Sequence, residues 1–135
     1  MLSIPKHGWV NLSIGDWEDR ASYLTDVPND LLDALIEKLN NWRPVCVSFD
    51  AEGWEYILVI DSFTVHVIES EDKHKLYSFD VSAKELAEEV YKDISENLNA
   101  WSWWDYATDT EEQRLTEEEN LKKKLKALRK ALDKK

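Results

Sequence analysis

The histidines His7, His66 and His74 are the first residues to weigh for chemistry, and they are the only three in the chain. None has a second histidine or a cysteine at metal-ligand spacing. The run Glu69-Ser70-Glu71-Asp72-Lys73-His74 gathers several oxygen and nitrogen ligands. It lacks the ordered spacing and the glycine of a calcium loop, so it reads as a solvated hairpin loop. Carboxylates are abundant, but a general acid needs a cleft and a raised pKa. Asp50, Glu52, Glu55 and Asp61 fall at strand ends or turns, where exposure is the default. No G-x-S-x-G elbow accompanies the serines. Gly8, Gly15 and Gly53 stand too far apart for a dinucleotide fingerprint or a phosphate-binding loop. The single cysteine, Cys46, lies in Val45-Cys46-Val47 with no base beside it. It reads as a buried, inert thiol, and one thiol makes no internal disulfide, which fits a reducing cytosol. The expectation is a protein with no catalytic residue, no metal and no cofactor.

What remains distinctive is charge and aromatic content. Over 135 residues, Asp and Glu number 28 and Lys and Arg 17, a net charge of −11. A polyanion of this size is repelled by a nucleic-acid backbone and by an anionic membrane, so neither is an expected partner. The chain carries 7 Trp, 5 Tyr and 3 Phe, enough with its aliphatic residues to bury a core. Several aromatics sit among acids: Trp17 in Gly15-Asp16-Trp17-Glu18-Asp19, and Trp54 between Glu52 and Glu55. Trp101, Trp103 and Trp104 cannot all face one side of a helix, so Trp103 should point away from the buried stripe.

The elements that must position these groups follow from periodicity. Residues 8–14 alternate, with Val10, Leu12 and Ile14 on the buried face, and read as a strand. Residues 15–20 break the pattern and read as an acidic loop. Leu31, Leu32, Leu35, Ile36, Leu39 and Trp42 recur at helical spacing, and Pro28 suits a first turn, so residues 28–42 form an amphipathic helix that Pro44 stops. Four strands then follow at 44–50, 54–60, 63–69 and 74–79, joined by short turns, which makes an antiparallel meander. The strand Tyr56-Ile57-Leu58-Val59-Ile60 is apolar on both faces. Either both faces of the sheet are covered, or one is left for a partner. Ser82-Ala83-Lys84-Glu85 is a capping box, and Leu86, Val90, Ile94, Leu98 and Trp101 continue one stripe to about residue 104.

The last segment differs in kind. Residues 111–135 hold nine basic and six acidic side chains, a balance of +3 that leaves −14 on residues 1–110. Acids precede bases, as a helix dipole favours. Leu121, Leu125, Leu128 and Leu132 make a narrow seam that either packs on the domain or joins two copies. The reading is a single α+β domain over 1–110: a meander of four strands, extended by the N-terminal strand, against two amphipathic helices. A charged C-terminal helix over 111–135 completes it.

The stretches Arg20-Ala21-Ser22-Tyr23-Leu24-Thr25-Asp26-Val27-Pro28 and Phe49-Asp50-Ala51-Glu52-Gly53-Trp54-Glu55-Tyr56 have the look of small bacterial inhibitor proteins. In size, acidity, aromatic content and α+β build, the chain resembles the immunity proteins of bacterial polymorphic and contact-dependent toxin systems. That resemblance implies a cytoplasmic antitoxin that masks a toxin domain, often a nuclease. The charge pattern by itself points to a basic protein partner, because acids steer a cationic surface and aromatics anchor it. Candidate partner-binding residues are Asp16, Trp17, Glu18, Asp19, Asp50, Glu52, Trp54 and Asp61. Two other readings stand beside this one: a regulatory module self-associating through the leucine seam, and a small hydrolase. The short N-terminal run before Gly8 has no long apolar core of a signal peptide, and no apolar run is long enough to span a bilayer, so a cytoplasmic location is expected.

Overall fold

The computed structural model describes residues 1–70, 75–103 and 110–134. The fold is α+β. Its order is β1 (Trp9–Ile14), β2 (Trp17–Ser22), α1 (Val27–Asn41), β3 (Val45–Asp50), β4 (Glu55–Ile60), β5 (Val65–Glu69), β6 (Lys75–Phe79), α2 (Ala83–Ser95), α3 (Leu98–Ser102) and α4 (Glu111–Leu132). The expected loop residues 71–74 and the aromatic residues 104–106 lie outside the described residues.

The antiparallel meander is present as a four-stranded sheet in the order β3-β4-β5-β6. Its inner face is built from alternate residues, as the pleat requires. Val47, Phe49, Tyr56, Leu58, Ile60, Val65 and Val67 are all buried. The double-sided apolar character of β4 resolves in favour of an open outer face. There Ile57 and Val59 are half-buried, and Ile68 and Leu76 on the neighbouring strands are exposed. Cys46 shares that face and is exposed, not buried as its apolar neighbours suggested. The reason is register: Val45 and Val47 take the inward positions, so the residue between them must face out.

The N-terminal strand does not extend the meander. It pairs with residues 17–22, which form a second strand instead of an acidic loop. Ile14 pairs with Trp17 across Gly15-Asp16, and Gly15 takes φ +57°. A Cβ at that position would lie 3.1 Å from the Phe79 ring, so glycine supplies both the turn and the close approach. The hairpin lies across the meander: its tip meets Phe79, and Asp50 near the opposite edge hydrogen-bonds Thr25 just beyond β2.

Helix α1 begins where Asp26 accepts from the Asn29 amide and ends with Trp42 in the left-handed region. Helix α2 has the expected capping box from Ser82 and Glu85. It ends at Ser95, earlier than its apolar stripe implies. The Asn97 side chain donates to the Asp93 carbonyl, and Asn97 leaves helical geometry at φ −126°, ψ 32°. A side-chain amide that competes for backbone partners breaks a helix this way. Helix α3 resumes from Leu98, keeps Trp101 buried and leaves Trp103 exposed. Helix α4 packs on α1, α2 and α3, so Leu121, Leu125 and Leu128 sit in the same core as the rest, with Leu132 half-buried. None of the described helices is long and apolar enough to cross a membrane.

Candidate functional site: an acidic, aromatic corner

The hairpin β1–β2 and the turn between β3 and β4 meet at one corner of the sheet. The contact begins with residues that are short-range neighbours in a pleat. In β2, Trp17, Asp19 and Ala21 point one way and Glu18 and Arg20 the other. Trp17 is 6% exposed, and its ring meets Tyr56 edge to face at 5.2 Å. Its indole N–H donates to Glu69 Oε1 at 2.8 Å, and Glu69 is itself 9% exposed. Trp17 therefore fills this protein's own core and not a partner's pocket. The phenol of Tyr56 donates to the Arg20 carbonyl at 3.0 Å. Burial, and then the carboxylates of Asp19 and Glu69, hold that phenol protonated far above the usual tyrosine range.

Above this buried layer lies a wired surface layer. The Trp54 indole donates to Asp19 Oδ2 at 2.8 Å, while Asp19 Oδ1 accepts the Arg20 amide at 2.7 Å. Both oxygens of Asp19 are thus engaged within the fold. The Arg20 guanidinium stacks between two indoles, 4.8 Å from the Trp9 ring and 4.9 Å from Trp54. In the β3–β4 turn, the Glu52 amide donates to Asp50 Oδ1 at 2.7 Å. Gly53 takes positive φ as its type suggested, and Glu52 does so too, at +57°.

Of the eight candidate residues, the structure brings Asp19, Asp50, Glu52 and Trp54 to this corner, and Glu18 is exposed beside Asp19 on the face of β2 that Arg20 shares. Trp17 lies beneath it. Asp16 is exposed at the hairpin tip, next to Gly15. Asp61 belongs elsewhere. Asp61 follows β4 and Trp54 precedes it, so at ~3.4 Å per residue the two are separated by about 24 Å. At that far end the Asp61 carboxylate is 3.7 Å from the ammonium of Lys38, a fully buried lysine that also donates to Ser62 Oγ at 2.9 Å. The Lys38 ammonium also lies 5.5 Å from the ring of the half-exposed Trp42.

Sequence reasoning missed Arg20, Glu69 and Tyr56. The signal for Arg20 was present: Gly-Asp between two alternating runs is a hairpin turn, and the alternation 17-19-21 continues through it. Glu69 carried no such signal, because nothing local pairs it with an indole distant in sequence. Chemically the corner offers carboxylates and a clamped cation on a rigid aromatic base. Among the described residues no group of histidine, cysteine and carboxylate side chains is placed to hold a metal ion. Compared with protein-family models, curated proteins and solved structures, the chain matches none.

Proposed function

We propose that this protein is a non-catalytic binding protein that neutralises a basic protein partner, and that the corner of Glu18, Asp50, Glu52, Trp54 and Arg20 is its contact surface. One observation carries the reading. Among the described residues, Glu18, Asp50, Glu52 and Glu55 form no ion pair, whereas four of the seven bases of α4 do, as in Lys124–Asp33 and Arg129–Glu88. These unpaired carboxylates lie on β2, β3, β4 and the β3–β4 turn, within residues 1–110, which carry −14. Such a field steers a cationic surface and speeds its docking.

The aromatic base supports the same reading. Trp54 and Arg20 are fixed by stacking and hydrogen bonds before any partner arrives, so little side-chain entropy is lost on contact. Indole and guanidinium groups are the side chains that anchor interfaces best. A toxin domain that acts on nucleic acid presents a basic site, and it is the partner that the resemblance to toxin-immunity proteins favours.

The test is capture from a native lysate on the immobilised chain, run beside the variant E18K/E52K, whose two sites are exposed. The expected result is a basic protein retained at low salt, released at high salt and not retained by the variant. Retention of no basic protein, or equal retention by the variant, overturns the proposal.

A further inference from the structure

Lys122, Lys126 and Lys130 recur every fourth residue along α4, and Lys134 extends the row just past its end. A helix rises ~1.5 Å per residue, so the row sets a cation about every 6 Å over about 18 Å. Like charges at this spacing oppose one another. The helix dipole accounts for Lys130 in the last turn, and Glu118 for Lys122, but neither accounts for Lys126 or for the regular spacing of the row.

The row borders a groove of about 710 Å³ between α4 and the α2–α3 segment. The floor is apolar: Tyr91 and Leu98 are half-buried and Leu125 is buried. Arg129 lies in the same groove. Glu88 holds its guanidinium through two hydrogen bonds of 2.8 and 2.9 Å, Asp133 adds another at 3.1 Å, and the group lies 5.2 Å from the Tyr91 ring. Its hydrogen bond keeps the Glu88 carboxyl below the usual carboxylate range. Lys122 reaches Glu118 and Glu119 on its own helix, and Lys134 donates to Asn40. Lys126 and Lys130 have no ion-pair partner among the described residues.

We propose that this groove docks an acidic amphipathic helix of a partner protein. Apolar side chains of that helix would lie on Tyr91, Leu98 and Leu125, and carboxylates at every fourth residue would meet the lysine row. The match is one of period, since two helices side by side share the same rise. A fatty-acid head group would engage one cation and leave the rest of the row idle. A nucleic-acid strand has no aliphatic side chains to lay on Leu98 and Leu125 of the floor. The inference stands on α2, α3 and α4 and does not rest on the corner.

The test uses the full chain and two labelled synthetic peptides of one composition, read by fluorescence anisotropy. In one peptide leucine and glutamate follow helical phase, with glutamate every fourth residue. In the other the same residues are scrambled. The phased peptide is expected to bind, to weaken with salt, and to lose roughly tenfold or more in affinity for the variant K126E/K130E. The neutral variant K126Q/K130Q should lose less, in the same direction. The thermal midpoint of K126E/K130E should equal or exceed that of the parent, which separates lost docking from lost folding. No binding of the phased peptide, equal binding of both peptides, or equal affinity for parent and K126E/K130E overturns the proposal. So does displacement of the phased peptide by an equal concentration of oligothymidylate or of laurate, which would assign the groove to a polyanion or to a fatty acid.

Discussion

The corner and the groove are opposites in how they are held. At the corner, acids surround aromatics, and the pieces come from distant parts of the chain: Trp17 bonds Glu69, and Trp54 bonds Asp19. In the groove, bases flank an apolar floor, and the charged row comes from one helix by spacing alone. At the corner, the buried Trp17–Glu69 hydrogen bond and the part-buried Trp54–Asp19 and Tyr56–Arg20 bonds join surface groups to the core. The groove's lysines are surface groups that the helix carries at a small cost. Both surfaces carry charge, but the corner's reaches the core by side-chain hydrogen bonds whereas the free lysines of the groove do not.

The largest test of this contrast is Trp17→Ala. Removing a buried indole from the core should cost about 3–5 kcal/mol, read as a lower urea midpoint. A loss under about 1 kcal/mol, the range of ordinary surface sites, would mean that the corner is not rooted in the core.

The next test is alkaline pH. The folded state holds the Tyr56 phenol protonated, whereas the unfolded chain releases that proton near the ordinary tyrosine value of 10.0. The raised folded pKa therefore gives stability that is fully present below pH 10 and is lost as pH rises above it. The expected slope is about 1.4 kcal/mol per pH unit for one proton. Tyr56→Phe should remove that part of the slope, and unfolding curves of both proteins on either side of this pH would show it. Identical slopes would break the account of the buried layer.

The smallest effect belongs to the groove and has the opposite sign. Lys126→Glu converts its contacts with Lys122 and Lys130 from like to unlike charge, which should stabilise the fold by roughly 0.5–1 kcal/mol at low salt. A rise in the thermal midpoint that fades with added salt would support a row kept against its own helix stability. A fall would show that Lys126 already has a structural role.

The same contrast explains what could be read in advance. The capping box at Ser82, the amphipathic stripe of α1, the four-strand meander and the α4 helix are local patterns, and the structure has each of them. The failures share a cause. Residues 15–20 read as an acidic loop because their acids hide the alternation. Residues 17–22 are a strand because β1 offers a ladder across a glycine turn. The continuous helix to residue 104 looked secure from its stripe, yet Asn97 breaks it. Cys46 looked buried because its neighbours are valines, yet the pleat turns it outward. Trp17 and Asp61 looked like partner contacts because each sits among acids or at a turn. One is core, and the other faces Lys38 at the far end of β4.

The sequence by itself determined the α+β class, most of the elements and the separation of charge between body and tail. These follow from periodicity, caps and composition, which act within a few residues. The tertiary structure alone decided which acids are free and which are bonded, which tryptophan is core, and that Arg20 is clamped between Trp9 and Trp54. It also decided that the leucines of α4 are buried in the chain's own core while its lysines edge a groove. Those outcomes depend on contacts between segments remote in sequence, and no local propensity encodes which remote segment will arrive.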